Sequence, residues 1–181
     1  MSAARAGALA GLCALLAACN PQAPRATVRS SPTATASPTP LALRITARGT
    51  STQPVRLIDQ IHNRVKYDLL ASSAESEGPQ GSTRVYVTDA RITFHGKDGS
   101  TLVATAPHAL VDQTHNSVTM LDGVRAHTAT GMTLRCDRLV YDRTTEMLHG
   151  DGHVRIVDPK GFTATGSSFD SDVSLTHVRM I

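Results

Sequence analysis

Tryptophan is absent from this chain of 181 residues, and tyrosine and phenylalanine supply only three residues each. Any core must therefore be built from Val, Leu, Ile, Ala and Met. The aromatic platforms on which single-stranded nucleic acid stacks are missing. A dominant charge is missing too: the net charge of +3 comes mostly from arginines spread along the sequence, not from the clustered basic stripe of a nucleic-acid-binding domain. Cysteine is scarce. Cys13 and Cys19 fall within the first twenty residues, and Cys136 alone lies beyond them, so no internal disulfide can staple the remainder. Cys136 alternates in phase with Met132 and Leu134 and reads as a small buried hydrophobe. There is no Gly-x-Ser-x-Gly, no Walker loop and no His-Glu-x-x-His. The pair His149 and His153 straddles an expected turn without a third ligand placed by spacing. No enzyme, no metal and no cofactor is expected, and the length suits one folded domain.

What is present begins at the N-terminus. Arg5 precedes an apolar run over residues 6–18, shorter than the ~20 residues a membrane span requires, and this is the pattern of a signal peptide. Leu16-Ala17-Ala18-Cys19 has the form of a lipobox, in which the cysteine thiol takes up a diacylglycerol and becomes the mature N-terminus. The expectation is a signal peptide over 1–18 and a lipid anchor on Cys19. Residues 19–43, rich in Pro, Ser, Thr and Ala, form a linker with little to bury, and a folded domain spans 44–181.

From Leu41 onward apolar and polar residues alternate, as in LALRITA, SVTML, VRAHT, MTLRC, RLVYD and VRIV. Strict alternation bounded by Gly, Asp and Pro predicts half-buried strands. One segment, PVRLIDQIHNRVKYDLLASSA, is compatible with a partly helical reading, and AESEGPQGS reads as a polar loop. The alternation is organised into a repeat. Asp112, Asp142 and Asp172 are thirty residues apart, as are Gly131 and Gly161, and Val124 and Val154. Each copy runs Gly, strand, strand ending in Asp, polar turn, strand, Asp-Gly, strand; repeats of this length signify stacked supersecondary units. Asp98-Gly99, Asp122-Gly123 and Asp151-Gly152 are expected to make the tight connections between strands.

Taken in order, several of these elements carry a family resemblance. They are Asp98, Gly99, Leu102 and Ala104, the turn entries Gly123-Val124 and Gly152-His153-Val154, and the strand end from Leu139 to Asp142. The sequence resembles the LptC/LptA/OstA-like periplasmic proteins of lipopolysaccharide export, LptC more than LptA, over about Arg84 to Ile181. The resemblance implies an all-β twisted β-jelly roll, an open antiparallel sandwich built here from ~30-residue strand repeats. It also implies a component of lipopolysaccharide export that receives its cargo from the inner-membrane ABC transporter, shields the lipid A acyl chains and passes the molecule to an LptA-like bridge protein. The handover would pair the C-terminal edge strand with the bridge. The chain departs from the family in showing a lipoprotein signal where LptC has a transmembrane helix. Its place would be the periplasm, tethered to the inner membrane or, since Asn20 is not the retention aspartate of enteric bacteria, to the outer one.

Acyl chains kept from water need an apolar groove, because each CH₂ transferred is worth ~0.8 kcal/mol. The positions on the apolar phase are Leu102, Ala104, Met120, Val124, Ala126, Leu134, Val154, Ile156, Phe162 and Ala164. By pattern alone they equally describe a packed core, and the resemblance makes them candidate lipid-binding residues. Two further readings stand beside it: a lipoprotein that serves as a structural or protein-binding module, and a carbohydrate-active β-solenoid, for which two and a half repeats are few.

Overall fold

The structure is a computed structural model that describes residues 43–79 and 82–181, within one compact unit, Thr39–Ile181. The signal peptide, Cys19 and almost all of the linker lie outside the described residues. Those described form thirteen strands: β1 (Leu43–Arg48), β2 (Val55–Ile61), β3 (Arg64–Ala71), β4 (Ser73–Gly78), β5 (Arg84–His95), β6 (Thr101–Asp112), β7 (Ser117–Leu121), β8 (Val124–Thr128), β9 (Thr133–Cys136), β10 (Arg138–Asp142), β11 (Met147–Val157), β12 (Thr163–Asp172) and β13 (Arg179–Met180). They make one continuous sheet in which every pairing is antiparallel, and among the described residues there is no helix. A parallel β-solenoid is thereby ruled out.

The sheet becomes two layers because β5, β6 and β11 change partners halfway along. In layer A, residues 84–88 of β5 pair with β4, 108–112 of β6 with β7, and 147–151 of β11 with β10. In layer B, residues 91–94 of β5 pair with β3, 102–105 of β6 with β8, and 155–157 of β11 with β9. The shared strands bend along a common crease, and the bends have a local cause. Asp89, Asp122, Gly123, Gly152 and His153 all adopt positive φ there, and the register of β11 with β12 slips by one residue between Asp151 and Val154. Such bulges bend a strand and raise its twist. Gly152 is dictated twice over, by φ +75° and by the Asp137 side chain only 2.3 Å from where its Cβ would lie. Asp151-Gly152 is thus a corner inside β11, correcting the expectation of a tight turn between strands there, whereas Asp122-Gly123 is the two-residue connection from β7 to β8, a bend and not a reversal because both strands pair with β6. Asp98-Gly99, between β5 and β6, is a connecting turn as expected.

The thirty-residue aspartates do serve turns. Asp112 Oδ1 accepts hydrogen bonds from the backbone N–H groups of Thr114 and His115, Asp142 Oδ1 from those of Thr144 and Thr145, and Asp172 Oδ1 from that of Thr176. Asp112 and Asp142 each make an Asx turn, and Asp172 closes a wider turn four residues on. The segment expected to be partly helical is the β2–β3 hairpin, whose turn residues His62 and Asn63 have φ 50° and 61°. Those values match the primed turns whose twist suits antiparallel strands. The expected polar loop AESEGPQGS is largely β4, paired on one side with β1 and on the other with β5.

Inward residues of the two layers meet in a core of Val, Leu, Ile and Ala with few aromatics. Phe94 of layer B stacks obliquely on Tyr141 of layer A at 4.6 Å between centroids. Within layer A the Phe169 ring covers Gly150, where a Cβ would lie 2.1 Å from a ring carbon.

Candidate functional site

Register aligns the inward candidates into a row. Ile92, Ala104, Ala126, Leu134, Ile156 and Ala164 are successive cross-strand partners on β5, β6, β8, β9, β11 and β12. The row crosses layer B, apolar throughout and small at Ala104, Ala126 and Ala164. Leu102, Ala104, Met120, Val124, Ala126, Leu134, Val154 and Ile156 are all buried, between 0% and 5% exposed. Ala164 is half-buried, on the strand whose outer side pairs only with the two-residue β13. Phe162 does not join them. It sits in the turn before β12, outside the alternation, and is 73% exposed.

The layers are joined by ion pairs. Arg64 and Lys66 of β3, in layer B, both reach Glu146 in the β10–β11 turn of layer A. Beside them Arg143 of that turn makes a two-pronged bond, 3.0 and 2.7 Å, to Asp59 of β2. Lys66 and Glu146 are buried, and the second carboxylate oxygen of Glu146 has no protein partner. Separating the layers here means breaking desolvated charges apart.

A cavity of about 720 Å³ opens elsewhere, on the outer side of the crease. Its floor includes Val124 and Cys136, and Arg91, Arg125 and Arg135 stand along it. Val124 is the one lipid-binding candidate that lines it, beside the core residues Ala90, Ala106 and Cys136. Burial, followed by the charges of Asp151 and Asp137, pushes the Cys136 thiol up to about 12, which makes it inert at neutral pH.

Histidine–aspartate pairs punctuate the surface. His108 bonds Asp122, His115 bonds Asp112, His149 bonds Asp170, His153 bonds Asp137 and His177 bonds Asp172, all at 2.7–2.9 Å. His149 and His153 thus serve different aspartates. Among the described residues no group of three or more His, Cys, Asp or Glu side chains could hold a metal ion. The carboxyl of Asp112 is held well below its usual range, first by His115 and then by backbone and Arg84 donors, against its own desolvation. At Asp172 burial pushes upward, but hydrogen bonds from His177, Ser174 and Thr176 outweigh it and bring the group to about 2. The His153 imidazole is raised by its bond to Asp137 and by that carboxylate's charge.

Among the described residues four strand edges remain open. β1 pairs only with β4, β2 only with β3 and β13 only with β12, and residues 163–166 of β12 have no strand on their far side. The last residue, Ile181, hydrogen-bonds Ser167 and Ser168 and closes only the next stretch of that edge.

Sequence comparison matches residues 42–180 to the family model described as lipopolysaccharide-assembly, LptC-related. Among solved structures the chain is similar to LptH of Pseudomonas aeruginosa, described as the LptA homologous periplasmic component of the lipopolysaccharide transport device. The two share 12% identity and a TM-score of 0.46, over 64% of this chain and 94% of that one. No curated protein matches the chain in sequence.

Proposed function

The chain belongs to the LptC-related family of lipopolysaccharide-assembly proteins, and on that premise we propose that it is a membrane-tethered periplasmic station on the export route. It takes lipopolysaccharide from the inner-membrane ABC transporter, holds the acyl chains between its layers and hands the molecule to an LptA-like bridge protein. The observation that carries this reading is the apolar row from Ile92 to Ala164, which crosses layer B and ends at the open stretch of β12. An acyl chain lying along that row would leave the protein where a partner's strand could add to the edge. With the inward side chains almost fully buried, admitting lipid requires the layers to part, and the Glu146 cluster is the restraint on that motion. Cys19 supplies the tether through its acyl groups, two or more of which anchor stably.

The test places a photo-crosslinking residue in turn at Ala104, Met120 and Ile156, with Thr105 and Thr119 as outward controls. Adducts with lipopolysaccharide are expected at the inward positions alone. Adducts at none of them, or equally at the controls, would instead favour a structural lipoprotein. A crosslinking residue at Thr163, on the open stretch of β12, is expected to capture the bridge protein while the inward adducts persist.

A further inference from the structure

The outward face of layer B carries a second row. Arg91, Thr105, Arg125, Arg135, Arg155 and Thr165 are successive cross-strand partners on β5, β6, β8, β9, β11 and β12. All four arginines are exposed. Arg125, Arg135 and Arg155 stand on three adjacent strands, so neighbouring backbones are ~4.8 Å apart and the whole row from Arg91 to Arg155 covers ~19 Å. Like charges directly opposite one another destabilise a sheet, and no ion pair among the described residues answers them, although Asp89, Asp122 and Asp137 line the same cavity as Arg91, Arg125 and Arg135. Among the described residues no carboxylate lies within 4.0 Å of any of the four, whereas Arg44, Arg56, Arg64, Arg84, Arg138 and Arg143 each have an acidic partner. The acids at the neighbouring crease are engaged differently: Asp122 by His108, Asp137 by His153 and Asp89 by Ser72.

We propose that this arginine row is a docking face for the phosphate headgroups of an anionic phospholipid bilayer. A guanidinium fork matches phosphate in geometry and charge. A straight row of this length meets several headgroups at once and exceeds what one free phosphate requires. The choice of a bilayer over an acidic protein rests on the tether reading above, since a linker from Cys19 would hold the domain close to a membrane and raise its effective concentration there. Docked through this face, layer B would lie flat on the membrane, with its apolar row directed away from the lipid surface and its strand edges free.

The unit Thr39–Ile181, which contains the whole core, provides the test without its tether. It is mixed with vesicles of phosphatidylglycerol and phosphatidylcholine, or of phosphatidylcholine alone, and assayed by flotation. Binding is expected only to the anionic vesicles, weakening as salt rises. Each arginine neutralised should lose about fivefold, so R125Q/R135Q/R155Q should lose on the order of a hundredfold. R44Q/R84Q/R138Q, which removes the same net charge from acid-paired positions on layer A, should lose far less. The row variant should unfold at no lower temperature than the parent, because repulsion has been removed. The proposal is overturned by equal binding to neutral vesicles, by equal losses in the two triple variants, or by uptake of inorganic pyrophosphate or polyglutamate with no binding to vesicles. None of these results alters the inward crosslinking expected above, so failure here and failure of the transport reading are distinguishable.

Discussion

The outward faces of layers A and B share β5, β6, β11 and β12 and the same repeat, yet within the repeat their charges are arranged oppositely. On layer A, Arg84 is answered by Asp112, Arg138 by Asp151 and His149 by Asp170. On layer B, Arg125, Arg135 and Arg155 are aligned and unanswered. Alternation decides which residues face out, but it does not decide whether their charges cancel. The difference teaches that one alternating pattern builds the inner faces alike, while the outer faces it leaves behind differ in how their charges are matched.

Three changes would break or sharpen that contrast. The largest effect is expected from Glu146→Ala, which leaves Lys66 buried without its carboxylate. Unfolding in urea should show a loss of about 3–5 kcal/mol in a single transition; two separated transitions would mean that the layers are independent units and not two faces of one core. Next come Leu148→Ala in layer A and Leu134→Ala in layer B. Both residues are almost fully buried, and each change should cost about 2–5 kcal/mol, with similar values in the two layers. A far cheaper loss at Leu134 would show that the interior of layer B is loosely packed. The smallest effect carries the most telling sign. Arg155→Thr should stabilise the unliganded protein by about 0.2–1 kcal/mol by relieving Arg135, whereas Arg138→Thr should destabilise it by up to about 1 kcal/mol through loss of its pair with Asp151. The same sign for both would erase the contrast.

Much of this architecture was legible in the sequence. The period of two marked the strands, the thirty-residue aspartates marked turns, and eight of the ten candidate lipid-binding residues fall on the buried face. The exceptions have physical reasons. Phe162 continues the apolar phase in the sequence, but Asp158 Oδ1 accepts its backbone N–H and keeps it in a turn. The β2–β3 hairpin looked compatible with a helix because its turn signal was an asparagine preceded by histidine, without glycine. The arginine row was only half visible: Arg125 and Arg155 share a repeat position, but their approach through Arg135, and the addition of Arg91, depend on register. The Glu146 cluster joins residues about eighty positions apart and could not be inferred from local pattern.

The crease has a consequence for how such a chain can evolve. The extra residue in β11 lies between Asp151 and Val154, and the buried positions keep one phase across it, Leu148 and Gly150 before and Val154 and Ile156 after. Deleting Gly152 alone would turn Arg155 inward and drive Val154 and Ile156 to the surface, inverting one half-strand while leaving the other in place. Insertions and deletions are therefore filtered by location. The polar turns at the far ends of the layers tolerate changes in length, whereas along the crease a single codon gained or lost exchanges the core-facing and water-facing sides of a strand.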